Sequence, residues 1–278
     1  MDKFVELLLK TIVMGIVEGL TEFLPISSTG HLIIVGGVLQ FDASIGSKAL
    51  ADTFEVFIQL GAIIAVMLYF ARDLISLVKR APSDKSAQRL LIAVAVAFVP
   101  AAIIGVLLNN LIDKYLFSPF TVGIALVVGG VIMLLVERWV QTRKQPITTL
   151  DRVDLKQGLG IGIAQIASLF PGMSRSASTI VGGLLMGLDR STALRFSFYL
   201  SIPTMVAATL YKLVKEINTI NGSAVPAFVL GAVVSFAVAI VVIKWFLGYV
   251  AKHDLRPFAW YRLALGALMI AFYIPLPR

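Results

Sequence analysis

Residues 227–247 form one long apolar run, AFVLGAVVSFAVAIVVIKWFL. Its length is close to the roughly 20 residues that a helix needs to cross about 30 Å of hydrocarbon. Comparable apolar windows occur along the chain at residues 54–70, 90–108, 120–136, 197–210 and 258–274. Backbone groups in lipid must bond within the chain, and alternating strand patterns are absent, so these windows are predicted to be helices.

The composition of the whole chain agrees with a membrane location. Of its 278 residues, 58% are apolar and 14% are charged, and the mean hydropathy is +0.92, which is too hydrophobic for a soluble domain. Cysteine is absent, which excludes disulfides and thiolate chemistry. The only histidines are His31 and His253, which excludes a multi-histidine zinc site.

The net charge of +8 is distributed as a topology signal, and no nucleic-acid partner is expected. Basic residues gather in three connecting segments, at Arg72, Lys79, Arg80, Lys85 and Arg89; at Arg138, Arg143, Lys144, Arg152 and Lys156; and at Lys252 and Arg256. The intervening segments carry Lys114 in one case and Lys212 and Lys215 in the other. This asymmetry predicts that the richer segments are cytoplasmic.

The two halves of the sequence resemble each other. Three matches occur in the same order, pairing residues 15–18 with 162–165, 54–69 with 196–211, and 118–120 with 256–258. They divide a single membrane domain, 1–278, into one repeat of about residues 1–145 and a second of about 150–278.

Each half also contains an apolar segment that is too short to span. The run at residues 7–17 ends at Glu18 and Pro25, and the run at 159–170 ends at Pro171. Such runs are candidates for re-entrant pieces. The predicted fold is therefore an all-α integral membrane protein of two inverted-topology repeats, each with one re-entrant helical hairpin plus three transmembrane helices. Both termini are then outside, and the hairpins meet within the membrane.

Glu18 and Glu22 lie four residues apart, so on a helix their carboxylates are adjacent. Like charges this close repel unless something positive lies between them, and an oxygen-preferring cation such as Mg²⁺ meets that need. The alternative is a hydrated helix end with two ordinary glutamates.

Residues 25–31, PISSTGH, place Ser27, Ser28, Thr29 and His31 between hydrophobic runs. This is the composition of an activated hydroxyl nucleophile or a general acid. The alternative for His31 is a structural polar residue with satisfied hydrogen bonds.

Residues 171–179, PGMSRSAST, combine a turn with serines at a helix start, and this arrangement presents N–H groups and hydroxyls to an anion. Arg175 adds a planar fork suited to phosphate oxygens; the alternative is a helix cap with an arginine that reaches the interface. A charge at membrane depth costs about 2.5–3.5 kcal/mol, so Glu18, Glu22 and Arg175 together cost roughly 8–10 kcal/mol. Two carboxylates, a cation, an arginine and hydroxyls are the components of phosphoryl transfer.

These motifs resemble a known family. Residues 18–31, EGLTEFLPISSTGH, match the glutamate-rich motif of the undecaprenyl-diphosphate phosphatase family linked to bacitracin resistance. Residues 171–179 fit its Pro-Gly-x-Ser-Arg-Ser-x-x-Thr motif, and residues 54–61, FEVFIQLG, are similar to a third shared stretch. The resemblance extends over the whole chain.

The resemblance implies hydrolysis of a C55 polyprenyl diphosphate to the monophosphate and inorganic phosphate, which recycles the lipid carrier of cell-wall synthesis. It also implies a divalent cation, with Mg²⁺ ahead of Ca²⁺, and a site facing the periplasmic side of a bacterial inner membrane. The membrane lipids are expected partners, and a homodimer is left open. The implied catalytic residues are Glu18, Glu22, Ser28, His31 and Arg175, the metal ligands Glu18 and Glu22, and the substrate-binding residues Ser27, Thr29, Ser174, Arg175, Ser176 and Thr179.

A secondary transporter or lipid flippase is the alternative function, because inverted repeats with broken helices are also transporter architecture. The charges cluster at two motifs instead of following a path through the membrane, which favours the enzyme; Glu55 and Gln59 are exceptions. The sequence leaves the nucleophile open among Ser28, Ser27, His31 and an activated water.

Overall fold

The structure is a computed structural model that describes residues 3–142, 146–216, 222 and 224–273. Arg143, Lys144 and the two chain ends, for which the sequence predicts membrane sidedness, lie outside the described residues. Within the described ranges the fold is all-α and no β-strand forms. In chain order the α-helices are α1 Lys3–Thr21, α2 Ser28–Leu39, α3 Phe41–Ile45, α4 Lys48–Tyr69, α5 Ala71–Arg80, α6 Lys85–Tyr115, α7 Pro119–Val140, α8 Leu155–Gln165, α9 Arg175–Leu185, α10 Arg190–Glu216, α11 Val225–Val250 and α12 Arg256–Tyr273.

Five helices, α4, α6, α7, α10 and α11, are long and apolar enough to cross a membrane. They confirm a multi-pass membrane protein and correspond to five of the six predicted windows. The sixth window forms α12 up to Tyr273. This helix contains Arg256 and Arg262 and is not among those five.

The first basic segment connects α4 and α6, as the sequence predicts, but most of it is itself helical, which the sequence analysis did not predict. Arg72, Lys79 and Arg80 belong to α5, and Lys85 opens α6. Leu77 of α5 is buried, and Leu74, three residues earlier, packs against the same core. Helical spacing of these leucines outweighs the local charge, since one face of α5 reaches the core while the basic face does not.

The first helix of each interrupted segment packs closely on a helix from the other half of the chain. A Cβ atom on Gly15 or Gly19 of α1 would lie within 2.7 Å of a carbonyl oxygen of α11. A Cβ atom on Gly158 or Gly162 of α8 would lie 2.5 Å from a carbonyl oxygen of α6. Glycines four residues apart therefore let these helix backbones approach closely, as small residues do in membrane helix pairs.

An ion pair also joins the two halves. Glu137 of α7 is fully buried and accepts hydrogen bonds from Nε of Arg190 at 3.0 Å and from the backbone N–H of Leu255 at 3.1 Å. This pair ties the end of α7 to the start of α10.

Candidate active site

Two interrupted helices define the site. In the first segment, α1 ends at Thr21 and α2 begins at Ser28; in the second, α8 continues through a 3-10 turn, Ile166–Leu169, and α9 begins at Arg175. We call residues 22–27 the first turn and residues 170–174 the second turn.

Each turn ends on a serine with an unusual backbone. Ser27 has φ 70° and Ser174 has φ 69°, a left-handed region that L-residues other than Asn and Asp rarely adopt. Each such residue costs of order 1–3 kcal/mol and persists where its surroundings impose the conformation. The same strained residue therefore precedes α2 and α9.

The first turn directly contacts the start of α9. Nη2 of Arg175 donates a hydrogen bond to Oε1 of Glu22 at 3.1 Å, and the hydroxyl of Ser176 donates to the carbonyl oxygen of Phe23 at 2.6 Å. The Arg175 guanidinium also lies 5.6 Å from the centroid of the Phe23 ring. Residues more than 150 positions apart in sequence thus share one location, as expected from the two motifs.

Glu22 is at the centre of this contact. Its second oxygen, Oε2, accepts a hydrogen bond from the hydroxyl of Ser28 at 2.8 Å. The side chains of Glu22 and Arg175 are only 9% and 10% exposed, so their attraction is weakly screened by solvent. A carboxylate bonded to a hydroxyl in this way can accept the proton of that hydroxyl.

The side chain of Arg175 is also hydrogen-bonded to α10. Its Nη1 donates to the carbonyl oxygen of Ser197 at 3.3 Å, while the Ser197 hydroxyl is 2.6 Å from that of Thr179. The Nε of Arg175 is buried and has no hydrogen-bond acceptor among the described residues. Arg175 is also one of the residues that line the cavity described below.

Glu18 differs from Glu22 although the two lie on successive helical turns. The backbone N–H of Glu22 donates to the carbonyl oxygen of Glu18 at 2.9 Å, as the spacing predicts. The Glu18 side chain is fully buried, and neither of its carboxylate oxygens has a hydrogen-bond partner among the described residues. A buried carboxylate without partners is energetically unfavourable, so this group fits a proton or a cation.

The oxygen donors present suit a divalent cation in part. Glu18 and Glu22 offer carboxylates, the ligand type that Mg²⁺ and Ca²⁺ prefer. The described part of the chain contains no group of three or more acidic, histidine or cysteine side chains that could hold a metal. A cation here would therefore need phosphate or water oxygens to complete its ligand set, as Mg²⁺ commonly does.

A cavity of about 600 Å³ opens beside the two turns. Its polar end is formed by Glu22, Ser27, Ser28, Thr29, Ser174 and Arg175. An apolar wall continues from there along α6 and α10, formed by Phe98, Ala101, Val106, Ile112, Met205 and Ala208 among others. The cavity thus joins a charged end to a mostly apolar wall that also contains Asn109, Thr204, Tyr211 and Lys212.

Four predicted site residues do not line this cavity: Glu18, His31, Ser176 and Thr179. Nδ1 of His31 lies 2.7 Å from the carbonyl oxygen of Ser27, and Nε2 lies 2.6 Å from the hydroxyl of Tyr261. A carbonyl only accepts, so Nδ1 carries the hydrogen. Both ring nitrogens are therefore engaged, and the structure places His31 behind the first turn.

The sequence interpretation missed Ser197, Tyr261 and Arg262. Ser197 lies in a predicted span without any motif, and nothing in the sequence marks it. Arg262 lies within an apolar window, and an arginine at membrane depth is the signal that drew attention to Arg175. The same signal could have found Arg262, and with it the neighbouring Tyr261.

Fold and site together define a multi-pass helical membrane protein with a polar site where two interrupted helices meet. Within that class, the chain belongs to the family of the bacitracin resistance protein BacA, whose family model matches residues 11–268.

Named relatives cover almost the full length of the chain. A protein of Caldanaerobacter subterraneus subsp. tengcongensis named undecaprenyl-diphosphatase is 49% identical over 95% of this chain and 96% of its own length. One of Burkholderia lata, named undecaprenyl-diphosphatase 1, is 46% identical over 95% of each chain. The undecaprenyl-diphosphatase of Pseudomonas fluorescens is 46% identical over 94% of this chain and 92% of its own.

Proposed function

We propose that this protein hydrolyses undecaprenyl diphosphate to undecaprenyl phosphate and inorganic phosphate, and so recycles the lipid carrier of cell-wall synthesis. The observation that carries the proposal is the contact of Glu22 with both Arg175 and Ser28 at the polar end of a cavity with an apolar wall. Family membership and the names of the relatives support the same activity.

The shape and chemistry of the cavity suit such a substrate. The first backbone N–H groups of α2 and α9 have no acceptor within their helices, and helix N-termini favour anions. The diphosphate would lie between them, beside Arg175. The isoprenoid chain would follow the apolar wall of α6 and α10, where burial of hydrocarbon is favourable.

Ser28 is the nucleophile that the geometry favours. Its hydroxyl is bonded to Glu22 and lines the cavity, whereas His31 has both nitrogens engaged. As the Ser28 oxygen bonds to the terminal phosphorus, Glu22 takes the hydroxyl proton, and the bond from that phosphorus to the bridging oxygen breaks to release undecaprenyl phosphate. Glu22 gives up this proton as undecaprenyl phosphate leaves. Water then attacks the phosphoserine and gives a proton to Glu22, which passes it to the Ser28 oxygen as the bond between that oxygen and phosphorus breaks, and inorganic phosphate is released.

Arg175, which lines the cavity, would stabilise the charge that develops on the phosphate oxygens. Glu18 and Glu22 are the residues that would hold a divalent cation, Mg²⁺ or Ca²⁺. Such a cation would offset the negative charge of the diphosphate.

The inverted repeat and the membrane sidedness are part of the proposal. Reciprocal packing of α1 on α11 and of α8 on α6, together with the matched serines at φ 70° and 69°, supports two repeats of opposite orientation in a bacterial inner membrane, with the site open to the periplasm. The homodimer stays a prediction, which the mass of the detergent-solubilised protein would test.

Single-cysteine labelling tests the topology, because the chain has no cysteine of its own. A cysteine at position 85 should be labelled only from the cytoplasmic side and one at position 114 only from outside. Labelling of both from the same side would contradict the inverted repeat.

Phosphate release by the purified protein tests the function. Wild type should release phosphate from undecaprenyl diphosphate and should lose that activity in excess chelator. His253→Gln is the matched control, because His253 is exposed and its Nδ1 lies 3.1 Å from the carbonyl oxygen of nearby Tyr249. This variant should behave as wild type. Movement of the lipid across the vesicle membrane without phosphate release would favour the flippase alternative. Full activity in excess chelator would exclude the role of the cation but would leave the proposed hydrolysis intact.

A further inference from the structure

Arg262 of α12 is completely buried. Its guanidinium donates hydrogen bonds to five backbone carbonyl oxygens, those of Met173 at 3.0 Å, Gly172 at 3.1 Å, Pro25 at 3.2 Å, and Ala125 and Leu126 at 3.4 Å each. An arginine side chain has five N–H groups. The acceptors therefore match the donors in number, and they come from the first turn, the second turn and α7.

The charge of Arg262 has no acidic partner. No aspartate or glutamate in the described ranges lies within ion-pair distance of it. A buried cation is unfavourable unless its hydrogen bonds are complete. The five carbonyl acceptors meet this requirement, and an apolar side chain at this position would remove the donors from the carbonyl oxygens of both turns.

The bonded carbonyls adjoin the two strained serines. Met173 directly precedes Ser174, and Pro25 lies two residues before Ser27, so Arg262 holds both turns next to their left-handed residues. Carbonyl and N–H of a trans peptide point in opposite directions. Fixing the Met173 carbonyl on Arg262 therefore turns the Ser174 N–H away from it. Arg262 does not line the cavity, so it acts through the turns.

We propose that Arg262 is a positioning residue that sets the separation and orientation of the two turns, and through them the geometry of Ser28, Glu22 and Arg175. This inference rests on the proposed function, because the geometry it sets is that of phosphoryl transfer. A lysine keeps the charge but has three donors on one nitrogen, which cannot span carbonyls on three sides.

Two neighbouring glycines of α7 allow a matched test. A Cβ atom on Gly129 would collide with Nη2 of Arg262. A Cβ atom on Gly130 would crowd the same α7–α12 interface, 3.0 Å from the carbonyl oxygen of Ala259, without reaching the guanidinium. Gly129→Ala should thus displace Arg262 from its carbonyls, whereas Gly130→Ala perturbs only helix packing.

The experiment measures kcat and KM for undecaprenyl diphosphate with folded protein isolated by size exclusion. Arg262→Lys, Arg262→Gln and Gly129→Ala should each lower kcat by about 100-fold while KM changes by less than about threefold, since misplacement by about 1 Å has that effect. Gly130→Ala should keep kcat near wild type. Gly129→Ala added to Arg262→Lys should cause no further loss, because both changes remove the same contacts.

Three results would overturn the proposal. The first is a near-wild-type kcat for folded Arg262→Lys, which would show that only the positive charge at position 262 matters and not its hydrogen bonds to the carbonyls. The second is equal loss in Gly129→Ala and Gly130→Ala, which would indicate general packing. The third is failure of both Arg262 variants and Gly129→Ala to fold while Gly130→Ala folds, which would make Arg262 a folding element. Absence of phosphate release by wild type would instead contradict the proposed function.

Discussion

The two turns end in almost the same backbone conformation, but the side chains around them differ in charge. Ser27 and Ser174 adopt almost the same left-handed conformation, and each directly precedes a helix. The positions around them have diverged: Glu18 in the first segment corresponds to Gln165 in the second, and Ser28 corresponds to Arg175. The first interrupted segment brings carboxylates and a hydroxyl, and the second brings a guanidinium.

This difference distinguishes the backbone features that both halves share from the side chains that the proposed reaction needs. Glu18 and Gln165 are both fully buried, yet the Gln165 side-chain oxygen accepts a bond from Thr204 at 3.4 Å while the Glu18 carboxylate has no partner among the described residues. The Gln165 amide thus has one long hydrogen bond through its oxygen and none through its nitrogen among the described residues, whereas both oxygens of the Glu18 carboxylate have none. Phosphoryl transfer needs both an anionic and a cationic group, and each half supplies one of them.

The largest expected effect comes from the cationic half. Arg175→Ala should lower kcat/KM about 10³-fold and Arg175→Lys about 10²-fold, because an ammonium cannot replace the planar fork. Phosphate-release kinetics would measure both. Full activity of Arg175→Lys would show that only charge matters, and equal activity of Arg175→Ala and wild type would remove Arg175 from the site.

A smaller effect on activity is expected from a substitution that gives the first half the residue found at the equivalent position of the second half. Glu18→Gln places in the first segment the residue type that the second segment has at the equivalent position. This variant should lower kcat about 10²-fold and should weaken the response of the activity to added Mg²⁺. Gln165→Leu is the control, and it should change activity by less than about threefold because only one long hydrogen bond is lost. Comparable losses in both variants would mean that burial, and not the carboxylate, matters at this position.

The sequence predicted the general architecture and part of the site. Long apolar windows identified the spans, and the two motifs placed Arg175 and Glu22 together because interrupted helices in related halves can meet. It did not predict that His31 faces Tyr261, since that contact depends on the rotation of α12 about its axis. Arg262 was missed for a similar reason: five carbonyls from three segments form its environment, and no local pattern shows them.

The basic segment that forms α5 was predicted only in part. Its charges mark a connection between two spans, and the tertiary contacts of Leu74 and Leu77 make it helical. Local composition describes the exposed face of such a segment, whereas packing decides its conformation.

The smallest expected effect concerns the strain that the turns share. Ser27→Gly should raise the free energy of unfolding by about 1 kcal/mol, because glycine adopts a positive φ without penalty. Ser174→Gly should gain less, since the Ser174 hydroxyl also accepts the N–H of Ala177 at 3.2 Å and that cap is lost. SDS unfolding midpoints would measure both, and a larger gain at Ser174 would contradict the comparison.

The most direct test of a site shared by the two halves is a double-mutant cycle on kcat/KM with Glu22→Gln and Arg175→Lys. As a control, Glu137→Gln and Arg190→Lys alter another ion pair between the halves, which lies outside the cavity, and they should affect stability but not activity. If Glu22 and Arg175 act on the same bound diphosphate, the double variant should lose no more than about threefold beyond the worse single variant. Losses that multiply in the double variant would show two independent contributions and would contradict a single site built by both turns.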